Sequence, residues 1–89
     1  MADYAIIFAR SARKELQKLP SSVAQRIIER IESLIKDPRP SGAIKLQGNR
    51  SYWRIRIGDY RVIYSINDSE RVVDISAVRN RRDVYRDLQ

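Results

Sequence analysis

Residues 51–65, SYWRIRIGDYRVIYS, constrain this chain more than any other stretch. Tyr52, Trp53, Arg54, Ile55, Arg56 and Ile57 alternate in character, Gly58-Asp59 interrupts them, and a second alternating run follows. Two β-rich segments split by a two-residue Gly-X turn predict a tight antiparallel hairpin, type II′, with Gly58 at the φ > 0 position. Such a turn fixes the register. Ile57 then faces Tyr60, Arg56 faces Arg61, Ile55 faces Val62, Arg54 faces Ile63 and Trp53 faces Tyr64. Directly opposed residues share a face of the sheet, and side chains alternate with period two. Trp53, Ile55, Ile57, Tyr60, Val62 and Tyr64 therefore make a core face, and Arg54, Arg56 and Arg61, with Tyr52 beside them, make the other. Arg56 opposite Arg61 is a like-charge pair that costs stability. Three guanidinium groups on one patch call for an anion.

The rest of the composition agrees. The 89 residues suffice for one small domain, spanning 1–89, with a modest core. No apolar run approaches the length of a membrane span and no charged-then-apolar leader opens the chain, so neither a span nor a signal peptide is expected. The sequence has no cysteine, which fits a cytoplasmic protein and removes disulfides, thiolate catalysis and Cys-based metal sites. It also has no histidine, which removes the usual general acid–base residue and the commonest metal ligand. The net charge of +7 favours a polyanionic or acidic partner over simple solubility, because it is unevenly placed. Residues 1–38 carry 7 basic and 5 acidic groups; residues 39–89 carry 11 and 6, and 10 of those 11 are arginine, which grips phosphate bidentately.

In chain order, Tyr4–Phe8 is a short apolar run that predicts a first strand buried on much of both faces. Ser11 offers an N-cap for a short helix with Ala12, Leu16 and Leu19 along one stripe, ended by Pro20. Ser22, with Gln25 three residues on, offers a capping box for a second helix. Val23, Ile27, Ile31, Leu34 and Ile35 carry that helix to Asp37-Pro38. The charged residues of this helical hairpin are most simply solvated faces. Pro38–Gly42 is a linker, and Ile44, Leu46 and Gly48 lead into the β-hairpin. After it, a turn at Asp68-Ser69 would set Val73 opposite Tyr64 and Ile75 opposite Val62. Val73, Ile75 and Ala77 would then extend the core face, and Asp74 and Ser76 would join the arginine face, Ser76 beside Arg61. The tail from Asn80 predicts a short turn or helix. The expected architecture is α+β, β-α-α-β-β-β, an antiparallel sheet covered on one face by the helical hairpin and open on the arginine face.

No paired carboxylates, Gly-rich phosphate loop, nucleophile elbow or metal-ligand cluster accompanies these elements. Guanidinium groups hold phosphate and stabilise charge building on a phosphorane, but they stay protonated and shuttle no protons. Tyrosine stacks on bases or hydrogen-bonds phosphate. Such a face either binds a polyanion or cleaves RNA whose own 2′-OH is the nucleophile. The residues alone leave both open.

Element order, Lys45-Leu46-x-Gly48, the pattern Tyr-x-Arg-x-Arg-x-Gly-x-Tyr-Arg-x-x-Tyr over 52–64, and Val78-x-x-Arg81 followed by Arg82-Asp83-Val84-Tyr85 resemble the RelE/ParE superfamily of toxin–antitoxin toxins. The resemblance spans essentially the whole chain. In its RelE branch it implies a ribosome-dependent endoribonuclease that needs no metal or cofactor. That enzyme promotes attack of the ribose 2′-OH on the neighbouring phosphate and leaves a 2′,3′-cyclic phosphate and a 5′-OH. Position by position, it implies catalytic roles for Arg54 and Arg56 near the attacking hydroxyl, Arg61 on the transition-state phosphate, Arg81 near the leaving group and Tyr85 orienting the mRNA. Lys45, Arg50, Tyr52, Arg79 and Arg82 are the flanking residues expected to hold RNA.

Two departures matter. Arginine replaces the lysine frequent in the family at 54 and 56, so these positions supply charge rather than proton transfer. The closing motif, commonly Val-Gly-His-Arg, here reads Val78-Arg79-Asn80-Arg81 and lacks the proton-transfer residue at 80. The implied partners are a cognate acidic antitoxin that wraps the toxin, the ribosome with its mRNA, and operator DNA reached through the antitoxin. Inhibition of DNA gyrase, as in the ParE branch, and a catalytically silent module that binds nucleic acid or antitoxin are the alternatives on the same fold.

Overall fold

The β-hairpin registers as the alternation requires. In the computed structural model, which describes residues 3–46, 48 and 51–80, Tyr52–Ile57 and Tyr60–Asn67 pair antiparallel, with every expected partner in place. Gly58 has φ 60, and among the described residues Arg71 is the only non-glycine with positive φ, so Asp59 keeps a negative φ and the turn is type II′. These strands are β3 and β4 of the order β1 (Ala5–Phe8), α1 (Arg10–Lys18), α2 (Ser21–Ser33), β2 (Ile44–Lys45), β3, β4 and β5 (Val72–Asn80). The α+β class is as expected. Two features of the sheet are not. Its order is β1-β5-β4-β3-β2, with β1 parallel to β5, so the sheet is mixed rather than wholly antiparallel. The helical hairpin carries the chain from one edge strand to the other, the long crossover that a parallel neighbour needs. A two-residue strand, β2, also precedes the hairpin and pairs with β3.

One face of the sheet is covered. α1 lies on β5 and α2 on β3. Ala12 and Leu16 of α1, Ile27 and Ile31 of α2, and Leu34 bury against Ile55, Ile57, Val62, Tyr64, Val73, Ile75 and Val78. Each large side chain so buried contributes about 1.5–3 kcal/mol. β1 alternates instead of being buried on both faces: Ile6 and Phe8 pack on the core, whereas Ile7 is 49% exposed, because nothing among the described residues covers the other face.

The serine caps do not form. Ala9 donates its N–H to the Ile75 carbonyl at 2.9 Å and accepts from the Arg13 N–H at 3.0 Å, so strand pairing starts α1 at Arg10. Ser11 falls inside the helix and its hydroxyl donates to the Ser76 carbonyl at 3.3 Å. Pro20, whose carbonyl accepts the Ala24 N–H at 2.9 Å, stands at the N-cap of α2 in place of Ser22. α2 ends at Ser33 rather than Asp37, because Leu34 and Ile35 bond three residues back, to Ile31 and Glu32, and tighten the last turn.

The β4–β5 register differs twice from expectation, with different consequences. The turn spans Asp68–Arg71, not Asp68-Ser69 alone, held by Asn67 Oδ1, which accepts from the Glu70 N–H at 3.0 Å and the Ser69 hydroxyl at 2.9 Å. Val73 therefore faces Ile66 and Ile75 faces Tyr64. A two-residue slip preserves the face, so Val73 and Ile75 remain core residues. The ladder then passes from Tyr64↔Ile75 to Ile63↔Ala77, leaving Ser76 as a bulge. A single extra residue inverts the faces beyond it. Val78 enters the core, Ala77 leaves it, and Ser76 lies in the bulge rather than beside Arg61.

Two contacts pin the linker between α2 and β2. The fully buried Tyr64 donates its hydroxyl to the Pro38 carbonyl at 2.8 Å, and burial pushes its pKa up to about 12. Asp68 accepts two bonds from the Arg39 guanidinium, at 2.8 and 3.2 Å, and one from the Tyr4 hydroxyl at 2.6 Å. The Arg39 guanidinium also lies 5.5 Å from the centroid of the Trp53 ring.

Candidate nucleic-acid interface

Alternation and register organise the uncovered face into three rows. Nearest the Gly58 turn, Arg56 of β3, Arg61 of β4 and Arg79 of β5 are directly opposed across three adjacent strands. The middle row runs Ile44, Arg54, Ile63 and Ala77. The far row runs Tyr52, Ser65, Asp74 and Ile7. Three in-register arginines of like charge repel one another across the strands, a cost that an anion bound to the row would offset.

Arg54 shows the electrostatics of the face most directly. Its neighbours across the strands are Ile44 and Ile63, and its Nη1 is buried with no hydrogen-bond partner among the described residues. Burial first, and then the positive charges of Arg56 and Arg61, lower its pKa from the ordinary arginine value. A guanidinium still protonated, partly stripped of water and crowded by two others gains more from an anion than an arginine in bulk solvent. Beside it, Arg56, Gly58, Asp59 and Arg61 line a depression of ≈ 100 Å³ at the hairpin tip.

Of the residues singled out in the sequence, Arg54, Arg56 and Arg61 come together on this face, with Tyr52 at its far row. Arg79 joins them more closely than the sequence suggested, opposite Arg61. The signal for this was present: Val73, Ile75 and Val78 break strict alternation after Ser76, the mark of a bulge. Lys45 pairs with Trp53 and so shares the side of the sheet that Trp53 takes, away from the arginines. Asp74 stands opposite Ser65 in the far row, two rows along the face from Arg61. Arg50, Arg81, Arg82 and Tyr85 lie outside the described residues, as does the predicted C-terminal turn. Among the described residues no group of three or more potential metal ligands comes together.

Comparison with known proteins places this arrangement. The family described as ParE toxin of type II toxin-antitoxin system, parDE, matches residues 6–85. The chain belongs to the RelE/ParE superfamily of type II toxin–antitoxin toxins. Toxin RelG of Mycobacterium tuberculosis is 31% identical over 84 residues, covering 93% of this chain and 97% of that protein. The mRNA interferase toxin RelE of Escherichia coli is 31% identical over 86 residues, covering 92% and 90%. RelE in the archaeal RelE–RelB complex of Pyrococcus horikoshii superposes with a TM-score of 0.80 at 34% identity, over 89% of this chain and 96% of that one. All three of these relatives are of the RelE type.

Proposed function

We propose that this RelE/ParE-superfamily chain is an endoribonuclease that cleaves mRNA on the ribosome and so arrests translation. The observation that carries this is the row Arg56–Arg61–Arg79 set beside the partly desolvated Arg54 on the uncovered face. It is supported by the likeness to a protein named as an mRNA interferase. The substrate supplies the nucleophile: its 2′-oxygen attacks the adjacent phosphorus, the bond from phosphorus to the 5′-oxygen breaks, and a 2′,3′-cyclic phosphate and a 5′-OH remain. Charge accumulates on the phosphorane oxygens, where fixed guanidinium groups in a dry setting act most strongly.

With no histidine in the chain and arginine held protonated, this face contributes charge and alignment. The 2′-OH gives its proton to, and the departing 5′-oxygen takes one from, water or groups supplied by the ribosomal setting. Arg81 and Tyr85 complete the proposed catalytic set, and Arg50, Tyr52, Arg79 and Arg82 the RNA-holding one, from which Lys45 drops out because it lies on the Trp53 side of the sheet. The partner that restrains the enzyme is an acidic antitoxin covering this basic protein, as RelB accompanies RelE in the archaeal complex. In a translation extract, added toxin should yield defined breaks in ribosome-bound mRNA, and Arg61→Ala should reduce their rate by at least about a hundredfold. Intact mRNA on arrested ribosomes would refute the assignment.

The family match to ParE favours one second reading, inhibition of DNA gyrase. It predicts loss of supercoiling at low stoichiometry with mRNA left whole.

A further inference from the structure

The basic surface does not stop at the open face. Arg26 and Arg30 of α2 lie one helical turn apart, at i and i+4, and so share a side of the helix. With Glu29, Arg56, Ile57 and Gly58 they line a second cleft, of ≈ 310 Å³, between α2 and the hairpin tip. This is near the lower limit of ordinary ligand pockets, about 300 Å³. Arg26, Arg30 and Arg56 are exposed, and among the described residues their side chains make no ion pair or hydrogen bond. Arg56 and Gly58 line both this cleft and the depression beside Arg61. The space around Gly58 is open, since a Cβ built there would meet nothing within 4 Å.

We infer that the cleft between α2 and the hairpin tip is a second phosphodiester site, which receives RNA backbone at the same time as the arginine row receives the phosphate to be cleaved. The inference rests on reading the open face as RNA-binding, and extends it around the edge of the sheet. Three arginines against one glutamate suit a single phosphate held bidentately. Arg56, shared by both depressions, fixes the second phosphate close to the first. Continuity with the open face favours RNA over an acidic peptide, which would have no reason to follow Arg56 from one depression to the next. The RNA is either the mRNA strand running on past the cut or a ribosomal strand meeting it there.

The test uses full-length toxin, 2′-O-methyl oligonucleotides that resist cleavage, and the ribosome. Arg26→Gln with Arg30→Gln should weaken binding of a nonanucleotide, with the log–log salt slope reduced by about 0.7 for the phosphate lost, and leave a trinucleotide unaffected. That result identifies mRNA as the source. Unchanged oligonucleotide binding with weakened ribosome binding supports the site with ribosomal RNA as its occupant. Glu29→Gln, which removes the opposing carboxylate, should strengthen whichever interaction is affected, an effect that partial unfolding cannot mimic. If the double variant binds both oligonucleotides and ribosomes like the parent, or loses only antitoxin affinity, the inference is wrong. Arg61→Ala should weaken trinucleotide and nonanucleotide alike, so failure of the open-face reading is separately visible.

Discussion

The guanidinium of Arg54 sits between Ile44 and Ile63 with Nη1 buried and unpartnered among the described residues, a position that folding alone would fill with an apolar side chain. An uncompensated, partly buried charge destabilises, and replacement of such groups by apolar ones of similar volume is often neutral or favourable. Arg54→Met should therefore raise stability by about 1 kcal/mol in urea unfolding while lowering the rate of mRNA cleavage. A variant both less stable and fully active would show that Arg54 serves the fold. Asp68 presents the opposite case. Two bonds from Arg39, and then one from Tyr4, hold its carboxyl at about 2, below the ordinary 3.8. A depressed carboxyl contributes stability above its unfolded value and loses it as pH falls through the folded one. Asp68→Asn should thus lower Tm near neutral pH, and the gap to the parent should close between pH 3.8 and about 2.

At the scale of elements, the Ser76 bulge decides which residues of β5 the site receives. Deleting Ser76 would make the ladder regular and keep Val78 opposite Val62 and Arg79 opposite Arg61, whereas inserting one residue between Ala77 and Val78 would turn Val78 outward and Arg79 toward the core. The expected result of the insertion is a loss of about 3 kcal/mol or more, visible as the absence of a cooperative urea transition. Ser76→Ala keeps the residue count and should stay within about 0.5 kcal/mol. The β3–β4 hairpin was legible in full because Gly58-Asp59 dictates turn and register locally. Both helices were legible from their apolar stripes. Their starts were not, since β1 pairing sets Ala9 and overrides the capping preference of Ser11. The parallel docking of β1 is a contact between residues far apart in sequence, which no local pattern records. Of the site, Arg54, Arg56 and Arg61 followed from the hairpin alone, whereas the place of Arg79 required the bulge.

For the molecule as a whole, the decisive property is that the sheet is covered by helices on one side and left open, among the described residues, on the other. The open side is polar in two senses. Its Gly58 end carries the arginine row, and its opposite end carries Asp74 beside the exposed Ile7. On the proposed reading, a net charge of +7 draws the protein toward RNA, and the arginine row selects where on the face the backbone lies. The Asp68 contacts tie the start of β1, the linker and the β4–β5 turn together, away from the hairpin tip. Folding and chemistry are therefore written into the same strands in alternate letters. On that reading, a single substitution at Arg56 or Arg61 would disarm the protein without unfolding it. The resulting chain remains intact in the cell and continues to compete for whatever binds its other surfaces.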